Sequence, residues 1–175
     1  MDPYQPESWH DFFVASAGAA AALTGLLFVA LSLHIRYIAA NPIHRNQARG
    51  GLIGLVQVLV LSLVVLIRQP APWAGVEVAF TSVFYIVVVG GYQVAGVRRA
   101  RWKIGRASLI RSGLGYLLAI AGLIGGLSVY VDSGPGLYVV AAIVVAIVLW
   151  SLRNAWFLLM GVADEYLSEP DPVSR

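Results

Sequence analysis

The chain has 175 residues, of which 59% are hydrophobic and 12% are charged, with a formal net charge of +3. Soluble domains usually carry about 25% charged residues, so the charge here is too sparse to cover a water-exposed surface, which argues against a soluble domain. The chain has no cysteine, which excludes disulfides, thiolate metal sites and a cysteine nucleophile.

The N-terminal segment, MDPYQPESWHDFF, does not resemble a secretory signal peptide. Before the first apolar block it carries Asp2, Glu7 and Asp11 but no lysine or arginine, whereas a signal peptide begins with a basic region. We therefore expect residues 1–11 to be an extracytoplasmic segment in front of a retained membrane span.

Five apolar blocks follow in order. A helix needs about 20 apolar residues to cross about 30 Å of hydrocarbon, and the second block is short but tolerable where the bilayer thins. Lipid offers the backbone no hydrogen-bond partner, and runs such as VVAAIVVAIVL do not alternate as barrel strands do. The blocks are therefore predicted to be helical spans, at 12–33, 52–67, 76–97, 109–131 and 137–160.

Basic residues are distributed unevenly among the connections. Residues 34–51 carry three arginines and residues 98–111 carry six lysines or arginines, whereas the segments on the opposite side carry only Arg68. Basic loops stay in the cytoplasm, so we expect the N-terminus outside and the C-terminus inside.

The sequence thus predicts an all-α integral membrane bundle of five transmembrane helices over residues 12–160. Turn-forming residues in DSGPG predict a helical hairpin between the last two spans. The tail, 161–175, ends in LSEPDPVSR and is expected to be cytoplasmic and disordered. The absence of a signal peptide, of cysteine and of an Asn-x-Ser/Thr sequon favours a bacterial plasma membrane.

The sequence contains no pattern typical of an enzyme, metal site or cofactor site. HExxH, GxSxG and the phosphate-binding GxxxxGK[ST] are absent. His10 and His34 flank the first span, about 36 Å apart along a helix, and cannot share a metal. The only lysine, Lys103, lies in a loop. We expect no catalysis, no metal and no cofactor.

The basic segment RRARWKIGR lies between the third and fourth spans. Membrane topology already requires positive charge there, so contact with anionic lipid headgroups is favoured over nucleic-acid binding. The predicted headgroup contacts are Arg98, Arg99, Arg101, Lys103 and Arg106.

Small residues recur along several spans and would let helix backbones approach closely. Packing within one chain and association between copies are both open interpretations. The first span, with ASAGAAAALTG, is slender almost all round and is predicted to occupy a crowded position. The candidate packing residues are Gly18, Gly50, Gly54, Gly122 and Gly126.

Arg153 interrupts the fifth block, about 10–12 Å from the inner interface at 1.5 Å per residue. One interpretation is that it reaches the inner headgroups, with Trp156 in the aromatic belt. The other is a polar layer in the inner third of the bundle, either a structural network or the vestibule of an anion-accepting cavity. This layer would contain Arg153, Asn154, Gln57, Gln93 and Ser112.

Two functions remain open at this point. The first is a non-catalytic membrane subunit or scaffold that binds membrane lipids, a second copy of itself or another membrane protein. The alternative is a homo-oligomeric channel or transporter for a small anionic solute, built around Arg153. No nucleic-acid partner is expected.

Overall fold

The computed structural model describes the backbone of residues 2–40, 42–100 and 106–168, and within them the side chains of residues 2–40, 44–91 and 113–161. This part of the chain is helical and contains no strand, which confirms the all-α prediction. A short 3-10 helix, Pro6–Trp9, leads into α1, His10–Leu33. The other helices are α2 Ile35–Ala40, α3 Pro42–Leu66, α4 Ala71–Ala100, α5 Arg106–Tyr130 and α6 Leu137–Ser168.

Five helical segments are long and apolar enough to cross a membrane, as predicted. Large apolar side chains such as Leu26, Phe80 and Leu117 are more than half exposed on their outer surfaces. Such exposure would be costly in water but suits contact with hydrocarbon. The spans are Pro6–Leu33, His44–Leu66, Ala71–Gly91, Gly113–Tyr130 and Leu137–Gly161.

Three helix boundaries differ from the sequence prediction by more than one helical turn. The first connection is mostly helical, because α2 occupies its start and α3 begins at Pro42; proline is well suited to the first turn of a helix, where its missing N–H is not needed. For the same reason α4 already begins at Ala71, directly before Pro72.

The third difference lies at the C-terminus. α6 continues through Ser168, so the prediction of disorder is wrong for residues 161–168. Once a helix is nucleated, each added residue gains a hydrogen bond, and ADEYL contains good helix formers. Residues 169–175 lie outside the described part of the chain.

The helices form two groups. α4 packs mainly against α5, while α3 lies between α1 and α6. One apolar cluster, which includes Phe13, Val58 and Val140, fills the end of the bundle near the N-terminal segment. A second cluster, with Leu31 and Leu158, fills the opposite end, where α2 packs.

Two glycines bring the backbones of α4 and α5 into direct contact. A Cβ atom at Gly126 would lie 2.6 Å from the carbonyl oxygen of Gly75 and 2.7 Å from the amide nitrogen of Ala79. A Cβ at Gly75 would be equally close to the carbonyl oxygen of Gly126. The packing of this pair therefore requires the absence of side chains.

The turn between α5 and α6 confirms the predicted hairpin and depends on left-handed backbone. Asp132, Gly134 and Gly136 have φ values of 49°, 93° and 52°, a region that glycine adopts without steric cost. The Ser128 hydroxyl accepts a hydrogen bond from the Gly136 amide at 2.8 Å and donates one to the Ser133 carbonyl.

The N-terminal segment covers this turn. The Leu137 amide donates to the Pro3 carbonyl at 2.8 Å, and the Tyr4 hydroxyl donates to the Gly134 carbonyl at 2.8 Å. Trp9 is buried and makes an edge-to-face contact with a ring on α6. Residues 2–9 thus form part of the folded bundle.

Candidate functional site

A cavity of about 90 Å³ lies between the α4–α5 pair and the α3–α6 pair. α3 contributes one face to it, with Gly50, Gly54, Gln57 and Leu61 at helical spacing. Glycines from α5 line it as well, at positions 115 and 122. The cavity exists because backbone, rather than side chains, forms several parts of its wall.

Four polar side chains line the otherwise apolar cavity. Gln57 donates a hydrogen bond to the carbonyl oxygen of Thr81 at 3.3 Å, and Ser82 donates to that of Val78 at 3.0 Å. The other two polar residues are Tyr85 and Asn154. A mostly apolar pocket with a few polar groups is typical of sites for small molecules.

Asn154 is the least satisfied of these groups. It is only 4% exposed, and its Nδ2 atom has no hydrogen-bond partner among the described residues. The hydroxyl of Ser151, one turn earlier on α6, is also buried without a partner in that part of the chain. An unsatisfied buried donor costs about 1–3 kcal/mol, so these two groups lower the stability of this part of the bundle.

Arg153 does not line this cavity. Its side chain is exposed, and its guanidinium carbon lies 4.1 Å from the centroid of the Trp150 ring and 5.7 Å from that of Phe157. Consecutive residues on an α-helix point about 100° apart, so Arg153 lies on the outer surface of the bundle while Asn154 faces inward. This placement favours an arginine directed to the surroundings of the bundle.

The cavity wall, within the described residues, holds no charged side chain. Of the predicted polar layer, Gln57 and Asn154 share the cavity, whereas the side chains of Gln93 and Ser112 lie outside the described part. The same holds for the side chains in the predicted headgroup-binding segment, so headgroup contact stays a prediction. These residues are Arg98, Arg99, Arg101, Lys103 and Arg106.

Three of the five candidate packing glycines contact neighbouring helices. A Cβ at Gly54 would lie 2.5 Å from the Ser151 hydroxyl, and one at Gly122 would lie 2.5 Å from the Ser82 hydroxyl. Gly126 approaches the backbone of α4, as described above. In contrast, a Cβ at Gly18 or Gly50 would meet nothing within 4 Å.

Within the single chain, the first span therefore packs on one side only. α1 buries one side, which includes Phe13, Ala20 and Leu27, and leaves the opposite side open. Small side chains permit another helix to pack closely, but they do not determine whether another helix lies there. We call the exposed stripe formed by Gly18, Ala22, Gly25 and Val29 the open α1 face.

Two polar residues of the cavity, Ser82 and Tyr85, were not predicted from the sequence. Their spacing of three places them on one face of α4, but α4 also carries many apolar residues on its other faces, so the spacing alone does not select them. Comparisons with protein-family models, with curated proteins and with solved structures find no match to this chain.

Proposed function

We propose that this multi-pass membrane protein is a non-catalytic subunit that binds a second copy of itself through the open α1 face. The main support for the proposal is that part of the α1 backbone is not covered by any other part of the described chain. A Cβ atom at Gly18 or at Gly25 would meet nothing within 4 Å, although both glycines lie within an apolar span.

The contact between α4 and α5 shows that glycines on a helix face allow a neighbouring helix to pack closely against it. There, Gly75 and Gly126 let two backbones come within contact distance. In lipid, apolar side chains gain little from association, and helix pairs are held by close packing at small residues. The open α1 face offers the same kind of surface to a helix outside the chain.

We propose a second copy as the partner for this face because two copies inserted in one membrane have the same orientation across it. A twofold axis along the membrane normal would bring Gly18 of one copy to Gly18 of the other, with Ala22 and Gly25 facing their counterparts. Self-complementary faces of this kind are typical of twofold homodimers. The non-catalytic part of the proposal rests on the sequence, in which no catalytic motif was recognised.

The alternative, an anion route around Arg153, has less support from the geometry. The guanidinium group lies outside the cavity, stacked on Trp150. An anion that entered the described part of the cavity would meet no positive side chain there, and an uncompensated buried charge is costly.

Cysteine cross-linking tests the proposed dimer directly, since the natural chain has no cysteine. In membranes containing little of the protein, mild oxidation is expected to link Ala22→Cys chains into dimers. The matched control is Leu117→Cys, which lies in a span on α5 and is 61% exposed; it is expected to remain monomeric.

A second pair of variants tests whether the glycines cause the association. Gly25→Leu, added to Ala22→Cys, is expected to abolish most of the cross-link, whereas Gly91→Leu, at an open glycine on α4, should preserve it. Equal cross-linking at Ala22 and Leu117, or full cross-linking in the Gly25→Leu background, would contradict the proposal.

A further inference from the structure

The charge of Arg153 lies deep within a membrane span and on the outer surface of α6. The midpoint of the span Leu137–Gly161 is Leu149, so Arg153 is about 6 Å from the middle of the span and about 12 Å from its nearer end. Its guanidinium carbon is 4.1 Å from the ring centroid of Trp150 and 5.7 Å from that of Phe157. These contacts hold the charge beside the helix, nearer to the ring that lies deeper in the membrane.

The described spans carry no carboxylate at this depth. Their acidic residues are Glu7, Asp11 and Glu77, and all three lie near the ends of their spans on the side of the N-terminal segment. Glu77 already accepts a hydrogen bond from Gln69 at 2.6 Å. A second copy inserted in the same direction has its carboxylates at the same depths, so these residues would not provide Arg153 with a counter-charge.

A charge this deep in a membrane calls for a counter-charge. Ionisable residues in spans are costly, and they usually pair with one another or line a water-filled cavity, but Arg153 does not line the cavity of the bundle. A lipid phosphate would have to sink about 12 Å to meet the guanidinium group where it lies. A carboxylate fixed on a neighbouring helix meets it at its own depth, without distortion of the bilayer.

We infer that the surface of α6 around Arg153 binds a transmembrane helix of a different protein, which carries an aspartate or glutamate near the middle of the membrane. Arginine and a carboxylate can form two parallel hydrogen bonds. Leu149 and Trp156, four residues before and three after Arg153, lie on the same helix face and are 62% and 61% exposed. They supply apolar contacts on either side of the ion pair.

A model peptide tests the requirement for a carboxylate. The natural chain has no cysteine, so the purified full chain can be labelled with a donor fluorophore at Ser133→Cys, which is exposed. The probe is a polyleucine helix of about 21 residues, with lysines and an acceptor fluorophore at each end and Glu, Gln or Leu at its centre. A central residue stays at mid-membrane whichever way the peptide inserts. Energy transfer is measured in phosphatidylcholine vesicles, whose headgroups carry no net charge.

We expect the peptide with Glu to associate about tenfold more tightly than the peptide with Leu, which corresponds to about 1.4 kcal/mol. The peptide with Gln should fall between them, because it keeps a hydrogen-bond acceptor but no charge. Arg153→Leu should abolish the preference for Glu, and Arg153→Lys should keep part of it. The matched control is Arg68→Leu, which removes an exposed charge from the connection between α3 and α4 and should leave the preference unchanged.

The comparison of the three peptides uses the natural sequence of α6, so it holds even if a variant at Arg153 does not fold. The inference is wrong if the three peptides associate equally, which would indicate that lipid headgroups satisfy Arg153. It is also wrong if Arg153→Leu keeps the preference for Glu. Neither result bears on the proposed dimer, because the open α1 face lies on another helix and is tested by cross-linking at Ala22.

Discussion

The contact between α4 and α5 allows a quantitative test at Gly126. In Gly126→Ala the new Cβ atom would lie 2.6 Å from the Gly75 carbonyl oxygen, about 0.8 Å short of the 3.4 Å at which ordinary contact begins. The obstructing atoms belong to backbone and cannot rotate away, so the helices must separate along this contact. Overpacking of this kind costs about 1–3 kcal/mol.

The matched control is Gly91→Ala, whose Cβ would meet nothing within 4 Å. Both glycines lie within helices, so the gain in helix propensity, about 1 kcal/mol in water, is similar in the two variants and cancels in the comparison. Relative to Gly91→Ala, we expect Gly126→Ala to lower the free energy of unfolding by about 1–3 kcal/mol.

Reversible unfolding in mixed micelles with increasing sodium dodecyl sulfate, followed by far-ultraviolet circular dichroism, measures this difference. Gly75→Ala should lower the free energy of unfolding by a similar amount. The double variant should lower it by less than the sum of the two single effects, since helices already separated by one methyl group accommodate the second more easily. Equal stability of Gly126→Ala and Gly91→Ala would refute the close backbone contact.

Two further predictions concern the N-terminal segment and Arg153. Gly136→Ala should lower the free energy of unfolding by about 1–2 kcal/mol, because Gly136 has a left-handed φ of 52° and the new Cβ would meet the Pro3 carbonyl. The N-terminal segment should then be digested faster by protease. An unchanged digestion rate would contradict the contact between Gly136 and Pro3. Arg153→Ala should reduce the free energy of unfolding by no more than about 1 kcal/mol, the value of an exposed cation–π contact, and Arg153→Lys should recover part of it. A loss of several kcal/mol in the same micelle assay would instead indicate a buried, paired arginine.

The number and type of the spans were predictable because hydrocarbon imposes a simple rule on the backbone. A block such as 137–160 must satisfy its N–H and C=O groups internally, and its length matches the membrane. The hairpin between α5 and α6 was predictable for a similar reason, since DSGPG supplies the residues that a left-handed turn requires.

The arrangement of the helices was not predictable in the same way. Gly18 and Gly126 both lie in small-residue stretches, yet only Gly126 touches a neighbour within the chain. In a soluble helix the apolar face identifies the buried side, but these helices are apolar almost all round. Which side is buried therefore depends on tertiary contacts that single spans do not encode.

In the candidate site, too, the sequence did not show which side of a helix faces the interior of the bundle. Depth along the spans, which depends only on sequence position and the 1.5 Å rise, grouped Gln57 with Asn154, and both residues line the cavity. Depth also grouped Arg153 with them, although its side chain points outward. The direction in which a side chain points changes by about 100° from one helical residue to the next. Two residues adjacent in sequence can therefore face different surroundings, one the cavity and the other the lipid.

The central claim is that the helices cross a membrane with the connection at residues 34–51 and the turn at residues 132–136 on opposite sides. Single cysteines replacing Arg45 and Ser133, both exposed, would be treated with a membrane-impermeant maleimide in intact bacterial cells. We expect Ser133→Cys to be labelled at once and Arg45→Cys only after the membrane is permeabilised. Labelling of both cysteines in intact cells would contradict this claim, and labelling of Arg45→Cys alone would contradict the predicted orientation of the termini.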